Sequence, residues 1–318
     1  MKTRLLTHTF LLLSLLALFA CKKKEESTTV KPYLDGINFD LPTFACPGDV
    51  INLKPYGVFA GDGKPLGGVI YKWKVNSDEF VEQDSFTLTP EAIGNYTVTC
   101  QASDPDNNYY SCSRAKVVIV IDPALGKTLT GTGIDPEKDA FIPDERDRTG
   151  QNEYYFTTIG GLDWFRNNLA WTGAGLAYEN ADVTSYPLGR YYTWNEAKTA
   201  CPEGWRLPTL EEWASLGDEA GPLLADAYLN SKRMWEYWPA VKRSNETRLG
   251  IIPAGYALPA LTEPAFPSLY DYAAFWTATE SEVDPCMAAF RYIHVEENDV
   301  RTTYGDKQSL ALSVRCVR

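Results

Sequence analysis

The sequence has few basic residues and very few histidines. Its 30 lysines and arginines stand against 42 aspartates and glutamates, so the formal net charge is −12. Nucleic-acid binding needs a basic face, and adsorption to anionic lipid needs clustered lysine and arginine, so both roles are disfavoured. Of the 2 histidines, His8 lies within the first 20 residues. His294 and scattered cysteines are a poor supply for zinc, which takes three or four ligands.

The chain also lacks an apolar run long enough to span a bilayer at its N-terminus. The run from Phe10 to Ala20 is broken by Ser14 and is too short for a transmembrane helix. Because Lys2 and Arg4 precede it, the pattern is typical of a signal peptide over residues 1–20.

The predicted signal peptide ends in the residues LFAC, which resemble a bacterial lipobox. The resemblance implies that Cys21 becomes the diacylated first residue of the mature protein, followed by a polar tether over residues 21–31. Each buried methylene of an acyl chain contributes about 0.8 kcal/mol to membrane binding. The KEE at residues 24–26 resembles the signal that sends Bacteroidetes lipoproteins to the outer leaflet. We expect a lipid-anchored outer-membrane protein at the cell surface; a plain solvated tether and a periplasmic orientation stay open.

Residues 32–122 have the pattern of an all-β domain. Short runs rich in valine, isoleucine, tyrosine and threonine are separated by turn signals such as PGD at 47–49 and GG at 67–68. This spacing predicts a β-sandwich. YKWKV and GNYTVTCQASD resemble immunoglobulin-like and PKD-type modules, which implies that Trp73 is the core tryptophan. Such modules are usually spacers, and we expect that role here.

Two cysteines of this domain are symmetric about a predicted turn. Cys100 and Cys112 are equally far from Asp106, the middle of that turn. In a regular hairpin centred there they face each other closely enough for a disulfide, and an exported location is oxidising. We therefore predict a Cys100–Cys112 bridge; the alternative is an irregular loop that breaks the register.

Residues 123–150 are rich in proline and glycine and contain the charged run DERDR. This composition predicts a solvated linker with one strand near 127–130. Asp135, Glu137 and Asp139 alternate as in a calcium loop, but Pro136 interrupts them, and the sixth position holds Ala140 instead of glycine. We favour the linker.

The most patterned stretch of the chain is GRYYTWNEAKTACPEGWRLPTLEEW, which begins at Gly189. Two Thr-x-x-Glu capping boxes, at 193–196 and 209–212, predict helices that begin at Trp194 and Leu210, the second running to about Gly217. The β-branched run ALSVRCV predicts a C-terminal strand.

Four ordered segments resemble the Fibrobacter succinogenes major paralogous domain over residues 151–318: YYFTTIGGLDWFRNNLA, YTWNEAKTACPEGWRLPTLEEWASL, FWTATES and SVRCVR. The same order of helix, cysteine, Leu-Pro and glutamate is similar to C-type lectin-like domains and to the formylglycine-generating enzyme fold. The resemblance implies an α+β lectin-like domain. The lectin resemblance further implies a disulfide between Cys201 and Cys316, because that fold links its first helix to its last strand. Cys46 and Cys286 then have no assigned partner.

The chemistry of these relatives does not carry over to this chain. Calcium-dependent lectins hold the calcium ion with a Glu-Pro-Asn or Gln-Pro-Asp loop and a Trp-Asn-Asp strand. This chain has EPA at 263–265 and WTA at 276–278 instead. The formylglycine-generating enzymes use paired cysteines with copper, and Cys286 has no second cysteine nearby. No pattern selects two carboxylates for glycoside hydrolysis. We therefore predict no cofactor, no metal and no catalysis.

A calcium-independent binding surface is the remaining hypothesis. The segment 218–274 matches the region where lectin-like folds present variable loops, and loops carry function. Its aromatic rings can stack on a ligand, although core packing is the alternative for each. The candidate rings are Trp235, Tyr237, Trp238, Tyr256, Tyr270 and Tyr272. We predict an adhesin or binding protein for a glycan or protein; the alternatives are an enzyme (a hydrolase or thiol oxidase) and a structural envelope component.

Overall fold

The computed structural model describes residues 30–146, 153–236 and 242–318. The predicted signal peptide and the candidate lipidation site Cys21 lie outside the described residues, as do Tyr237 and Trp238. Regular structure in the described ranges is mostly β, with short helices. None of the helices in these ranges has both the length and the apolar character needed to cross a bilayer.

The N-terminal half is built from short strands around two long ones. They are β1 Leu34–Asp35, β2 Asn38–Phe39, β3 Phe44–Ala45, β4 Ile51–Leu53, β5 Pro55–Tyr56, β6 Phe59–Ala60, β7 Ile70–Val75, β8 Val81–Glu82, β9 Phe86–Leu88, β10 Gly94–Ser103 and β11 Cys112–Val120. The largest sheet has the order β3-β11-β10-β7-β8, and β3 runs parallel to β11. The pairs β1–β6, β2–β5 and β4–β9 complete an arrangement consistent with a β-sandwich.

Trp73 lies at the centre of this core, as predicted. It is fully buried, and its ring packs edge-on against Phe39 and parallel to Phe86 at centroid distances of 5.2 and 5.9 Å. Its indole N–H donates to the carbonyl of Gln83 at 3.1 Å. The buried polar atom is therefore satisfied, and the ring contributes its full apolar area to the core.

The predicted Cys100–Cys112 bridge is wrong, because the hairpin is centred one residue later than Asp106. Cys100 lies opposite Arg114, while Cys112 lies opposite Ala102, and both thiols are free. The turn is asymmetric, since the carboxylate of Asp104 accepts the backbone N–H groups of the residues two and four positions later. Burial raises the pKa of the Cys100 thiol to about 12, so this cysteine is a neutral core residue.

The segment predicted as a solvated linker instead joins the C-terminal half in its described part. Strand β12 (Leu129–Thr130) and strand β13 (Phe141–Pro143) pair with later strands of that half. The Asp139 carboxylate is buried and forms ion pairs with Arg166 and Arg248. Although burial opposes its charge, hydrogen bonds from the backbone and these guanidiniums hold the pKa of Asp139 below its ordinary value. The strand predicted near 127–130 is present as β12, whereas the interpretation of residues 123–146 as a solvated linker is wrong.

The C-terminal half combines further strands with short helices. The strands are β14 Glu153–Ile159, β15 Leu162–Phe165, β16 Tyr192–Thr193, β17 Tyr228–Leu229, β18 Lys232–Arg233, β19 Tyr272–Glu280, β20 Met287–His294, β21 Arg301–Asp306 and β22 Ala311–Leu312. The α-helices are α1 Ser185–Leu188, α2 Trp194–Ala200 and α3 Leu210–Ala214, and 3-10 turns lie at Tyr178–Asn180, Asp182–Thr184 and Gly221–Leu223. The sheets have the orders β12-β17-β18, β13-β14-β15, β16-β22 and β19-β20-β21.

Both predicted capping boxes are present, and α2 and α3 begin where the sequence predicts. The side chain of Thr193 accepts the N–H of Glu196, whose carboxylate accepts the N–H of Thr193. Thr209 and Glu212 repeat this reciprocal pair at α3. Helix α3 ends at Ala214, before the predicted end near Gly217.

The predicted disulfide between Cys201 and Cys316 is confirmed. It joins the end of α2 to the last residues of the chain, across a sequence separation of 115 residues. Cys316 is fully buried beside the β19-β20-β21 sheet, in a cluster that includes Trp276 and Phe290. The disulfide therefore fixes α2 against the sheet that carries the candidate site.

Candidate functional site

One face of the β19-β20-β21 sheet carries a row of aromatic side chains that runs from the core to the surface. Tyr272 lies opposite His294, and Trp276 lies opposite Phe290. Because side chains alternate along a strand and opposite residues share a face, these residues and Tyr292 lie on one side. Trp276 and Phe290 are buried, whereas Tyr272, Tyr292 and His294 are partly exposed.

An open cleft lies at the exposed end of this row. Its volume is about 390 Å³, within the range of roughly 300–1,000 Å³ that small-molecule sites occupy. The lining side chains are mostly aromatic or aliphatic: Tyr256, Ser268, Tyr272, Phe290, His294, Leu310 and Leu312. An apolar wall with a few polar groups is also the usual composition of small-molecule sites.

The rings of the cleft hold one another in fixed orientations. Tyr256 packs edge-on against Tyr272 at 5.6 Å between centroids, and Tyr292 stacks on Tyr272 at 5.3 Å. His294 meets Tyr272 edge-on at 6.2 Å. Tyr272 therefore lies at the centre of the group, and its substitution would remove three ring contacts at once.

Tyr256 reaches the cleft because the residue before it is glycine. The Gly255 N–H donates to the carbonyl of Tyr272 at 2.7 Å. Gly255 has a φ of +76°, and a β-carbon there would lie 2.4 Å from the carbonyl oxygen of Pro267. Another residue at this position would have both backbone strain and a steric clash.

The cleft presents hydrogen-bonding groups that are not used internally. Within the described residues, the hydroxyl groups of Tyr256, Tyr272 and Tyr292 form no hydrogen bond. The Nδ1 atom of His294 accepts the N–H of Glu296 at 3.2 Å, so a neutral imidazole carries its proton on Nε2. Burial first, and then the neighbouring tyrosines, raises the pKa of Tyr272, which keeps its hydroxyl protonated and able to donate.

The other predicted binding residues do not join this cleft. Trp235 is fully buried, and its indole N–H donates to the carbonyl of Ile251 at 3.1 Å, so its assignment as a surface ring is wrong. Tyr270 lines a separate cavity of about 230 Å³ between the two halves of the chain. There the ammonium of Lys232 lies 3.8 Å from the Tyr270 ring centroid.

Sequence reasoning missed Tyr292 and His294. The signal that identifies them is the alternation in FRYIH, where residues 290, 292 and 294 share one face of a strand. In the sequence, His294 is an isolated histidine in a short apolar run. The sequence does not show which side chains lie near it in the fold, because they come from distant parts of the chain. Tyr272, which was predicted, packs with both of them, and Tyr256, also predicted, packs with Tyr272.

The described residues contain no group of three or more histidine, cysteine, aspartate or glutamate side chains that could hold a metal ion. Cys286 is exposed and free, and Cys46 is a half-buried free thiol. In the same parts of the chain, no serine or cysteine is hydrogen-bonded to His294. What the cleft itself offers is aromatic stacking surfaces and hydrogen-bond donors.

The C-terminal half has a mostly β fold, and a disulfide joins its helix α2 to the end of the chain. The family model described as the Fibrobacter succinogenes major domain matches residues 157–318. The chain belongs to this family. No curated protein matches the sequence.

Proposed function

We propose that this protein is a non-catalytic cell-surface lipoprotein that recognises glycans, without calcium, through the cleft lined by Tyr256, Tyr272 and His294, in which Tyr292 supports Tyr272 by stacking on its ring. The observation that carries the proposal is the set of aromatic rings with unused hydroxyl groups in an open cleft of about 390 Å³. Aromatic faces pack against the apolar faces of sugar rings, and phenol and imidazole groups bond sugar hydroxyls.

The proposed architecture has three parts. Diacylated Cys21 and the tether hold the protein on the outer membrane, an immunoglobulin-like or PKD-like module over residues 32–122 acts as a spacer, and a C-type lectin-like head carries the cleft. The parallel pairing of β3 with β11 and the buried Trp73 support the module assignment. The disulfide from α2 to the chain end supports the lectin-like topology.

Independence from calcium follows from the residues that the chain has in place of calcium ligands. In the EPA sequence at 263–265, the third residue is alanine, whereas a calcium-dependent lectin has an amide or carboxylate ligand there. In the WTA sequence at 276–278, Ala278 occupies the position of the aspartate ligand. Thr277 is buried, and its hydroxyl donates to the carbonyl of Ala289 at 2.8 Å. Stacking and direct hydrogen bonds would therefore provide the affinity.

A glycan array tests the proposal with the full chain and with Tyr272→Ala and Tyr256→Ala variants, both at residues that line the cleft. The matched control is Tyr304→Ala, because Tyr304 is an exposed tyrosine, on β21, outside the cleft lining. Loss of one stacking ring should weaken binding about tenfold or more, and the control should bind as the unmodified chain does. Chelator should have no effect.

Retention of full binding by both cleft variants would reject the cleft, and loss of binding in chelator would reject calcium independence. If no glycan binds but a protein from the bacterial surface does, and Tyr272→Ala abolishes that binding, then the cleft is a protein-binding site. An enzyme on the same scaffold and a structural envelope component are the alternatives. The structural component predicts no ring-dependent glycan binding, whereas a hydrolase would cleave the glycan that it binds.

A further inference from the structure

The C-terminal SVRCVR segment contains a buried arginine with an unusual environment. Arg315 is 1% exposed. Its guanidinium donates to the side-chain oxygen of Asn168 at 2.7 Å and to the carbonyls of Phe165, Leu249 and Gly250 at 3.0, 2.9 and 3.3 Å. All these acceptors are neutral, and no carboxylate among the described residues forms an ion pair with Arg315.

A buried guanidinium without a counter-charge is unfavourable. Arginine stays protonated in proteins, and buried charges are normally paired. Burial first, and then repulsion from the nearby Arg166, lowers the pKa of Arg315 to about 9. Hydrogen bonds to neutral oxygens use four of its donors, but they leave the net charge in place.

The neighbouring charges do not supply the missing anion. Arg166 is also buried, and the Asp139 carboxylate neutralises it. The same carboxylate also pairs with Arg248, which is more than half exposed. The buried cluster of Arg166, Asp139 and Arg315 therefore carries one positive charge in excess.

A small cavity borders both buried guanidiniums. Its volume is about 30 Å³, and Arg166, Arg315, Asn167 and Asn168 contribute polar groups to its wall. A cavity of this size has room for a water molecule or a monatomic ion. Four hydrogen bonds use four of the five N–H groups of Arg315. Asn167 donates to the carbonyl of Glu153 and has a second amide proton.

We propose that this cavity binds a single halide ion, chloride in ordinary saline, which neutralises Arg315. Wall residues Thr132 and Ile134 come from the segment that enters the C-terminal half, and Arg315 comes from the chain end. The ion would therefore contact both the segment around Thr132 and Ile134 and the chain end at Arg315, and it would stabilise their packing. The proposal concerns the stability of the fold and is independent of the glycan cleft.

The first test replaces chloride with bromide in crystals of the full chain and locates bromide by anomalous scattering. The expected result is one strong peak in the cavity between Arg315 and Arg166. Bromide found at surface positions only, with water in the cavity, would overturn the proposal.

The second test measures thermal unfolding of the full chain in chloride, bromide and gluconate at one ionic strength. A saturable rise in Tm of about 5 °C in either halide relative to gluconate is expected, because a ligand that binds only the native state stabilises it. Equal Tm values in all three salts would overturn the proposal.

Two substitutions test whether the effect of halide on Tm arises at Arg315. Arg315→Met removes the charge and should abolish the dependence of Tm on halide, whereas Arg301→Gln, at an exposed arginine paired with Glu297, should keep it. A halide effect that survives Arg315→Met would show that the ion binds elsewhere. If Arg315→Met does not fold, the bromide position in the unmodified chain decides the question.

Discussion

Removal of the Cys201–Cys316 disulfide should strongly destabilise the domain that carries the cleft. The bridge closes a loop with a sequence separation of 115 residues. In the chain-entropy model a closed loop of this length stabilises the native state by about 5 kcal/mol. For a domain of this size, each kcal/mol shifts Tm by roughly 2–4 °C, so the double variant Cys201→Ala/Cys316→Ala should unfold about 10–20 °C lower.

The measurement is thermal unfolding followed by circular dichroism, with both cysteines replaced so that neither partner of the bridge is left as an unpaired thiol. Cys286→Ala is the matched control, because Cys286 is exposed and free, and its Tm should not change. A decrease of less than about 3 °C in the double variant would refute the reasoning, since other contacts would then hold the chain end in place.

Two further predictions concern a buried ion pair and the membrane anchor. Asp139→Asn leaves the buried Arg166 without its counter-charge and should cost about 3–5 kcal/mol in urea unfolding; Asp135→Asn, at an exposed pair, should cost less than about 1 kcal/mol. Because the pKa of Asp139 lies below its ordinary value of 3.8, its contribution is complete above about pH 4 and is lost as the pH falls through the folded pKa. Unchanged stability of Asp139→Asn would contradict this account. Cys21→Ser should move the protein from the membrane fraction to the soluble fraction, and continued fractionation with membranes would disprove the lipid anchor.

Local features of the fold were predictable because their causes are local. The helix starts at Trp194 and Leu210 depend on side chains three residues apart, and the structure confirms both. The Cys201–Cys316 disulfide joins distant residues, and only the family resemblance indicated it. The β-rich character of the N-terminal half followed from short β-branched runs and frequent turns, whereas the α+β expectation for the C-terminal half came from the family resemblance.

Non-local pairing explains what the sequence did not show. The register of the β10–β11 hairpin depends on which side chains cap its turn, and a shift of one residue separates Cys100 from Cys112 along the ladder. Proline and glycine near β12 indicated a linker, but edge strands accept such residues when a partner strand is available. The residues around β12 do not indicate which strand pairs with it or how far along the chain that strand lies.

The same limit applies to the candidate site. A list of aromatic residues does not reveal which rings are buried, so Trp235 was placed at the surface, whereas Tyr292 was not considered. Tyr256 and Tyr272 meet only because the chain returns through Gly255 to the start of β19. The buried Arg315 gave no signal in the sequence, since arginine is ordinarily exposed.

The central claim is that the aromatic cleft recognises glycans, and a crystal structure of the full chain with the glycan that binds most tightly on the array tests it most directly. The account predicts a sugar ring packed on Tyr272, with its hydroxyl groups bonded to His294 or to the neighbouring tyrosines. A sugar bound elsewhere on the protein, with this cleft filled only by water, would contradict it.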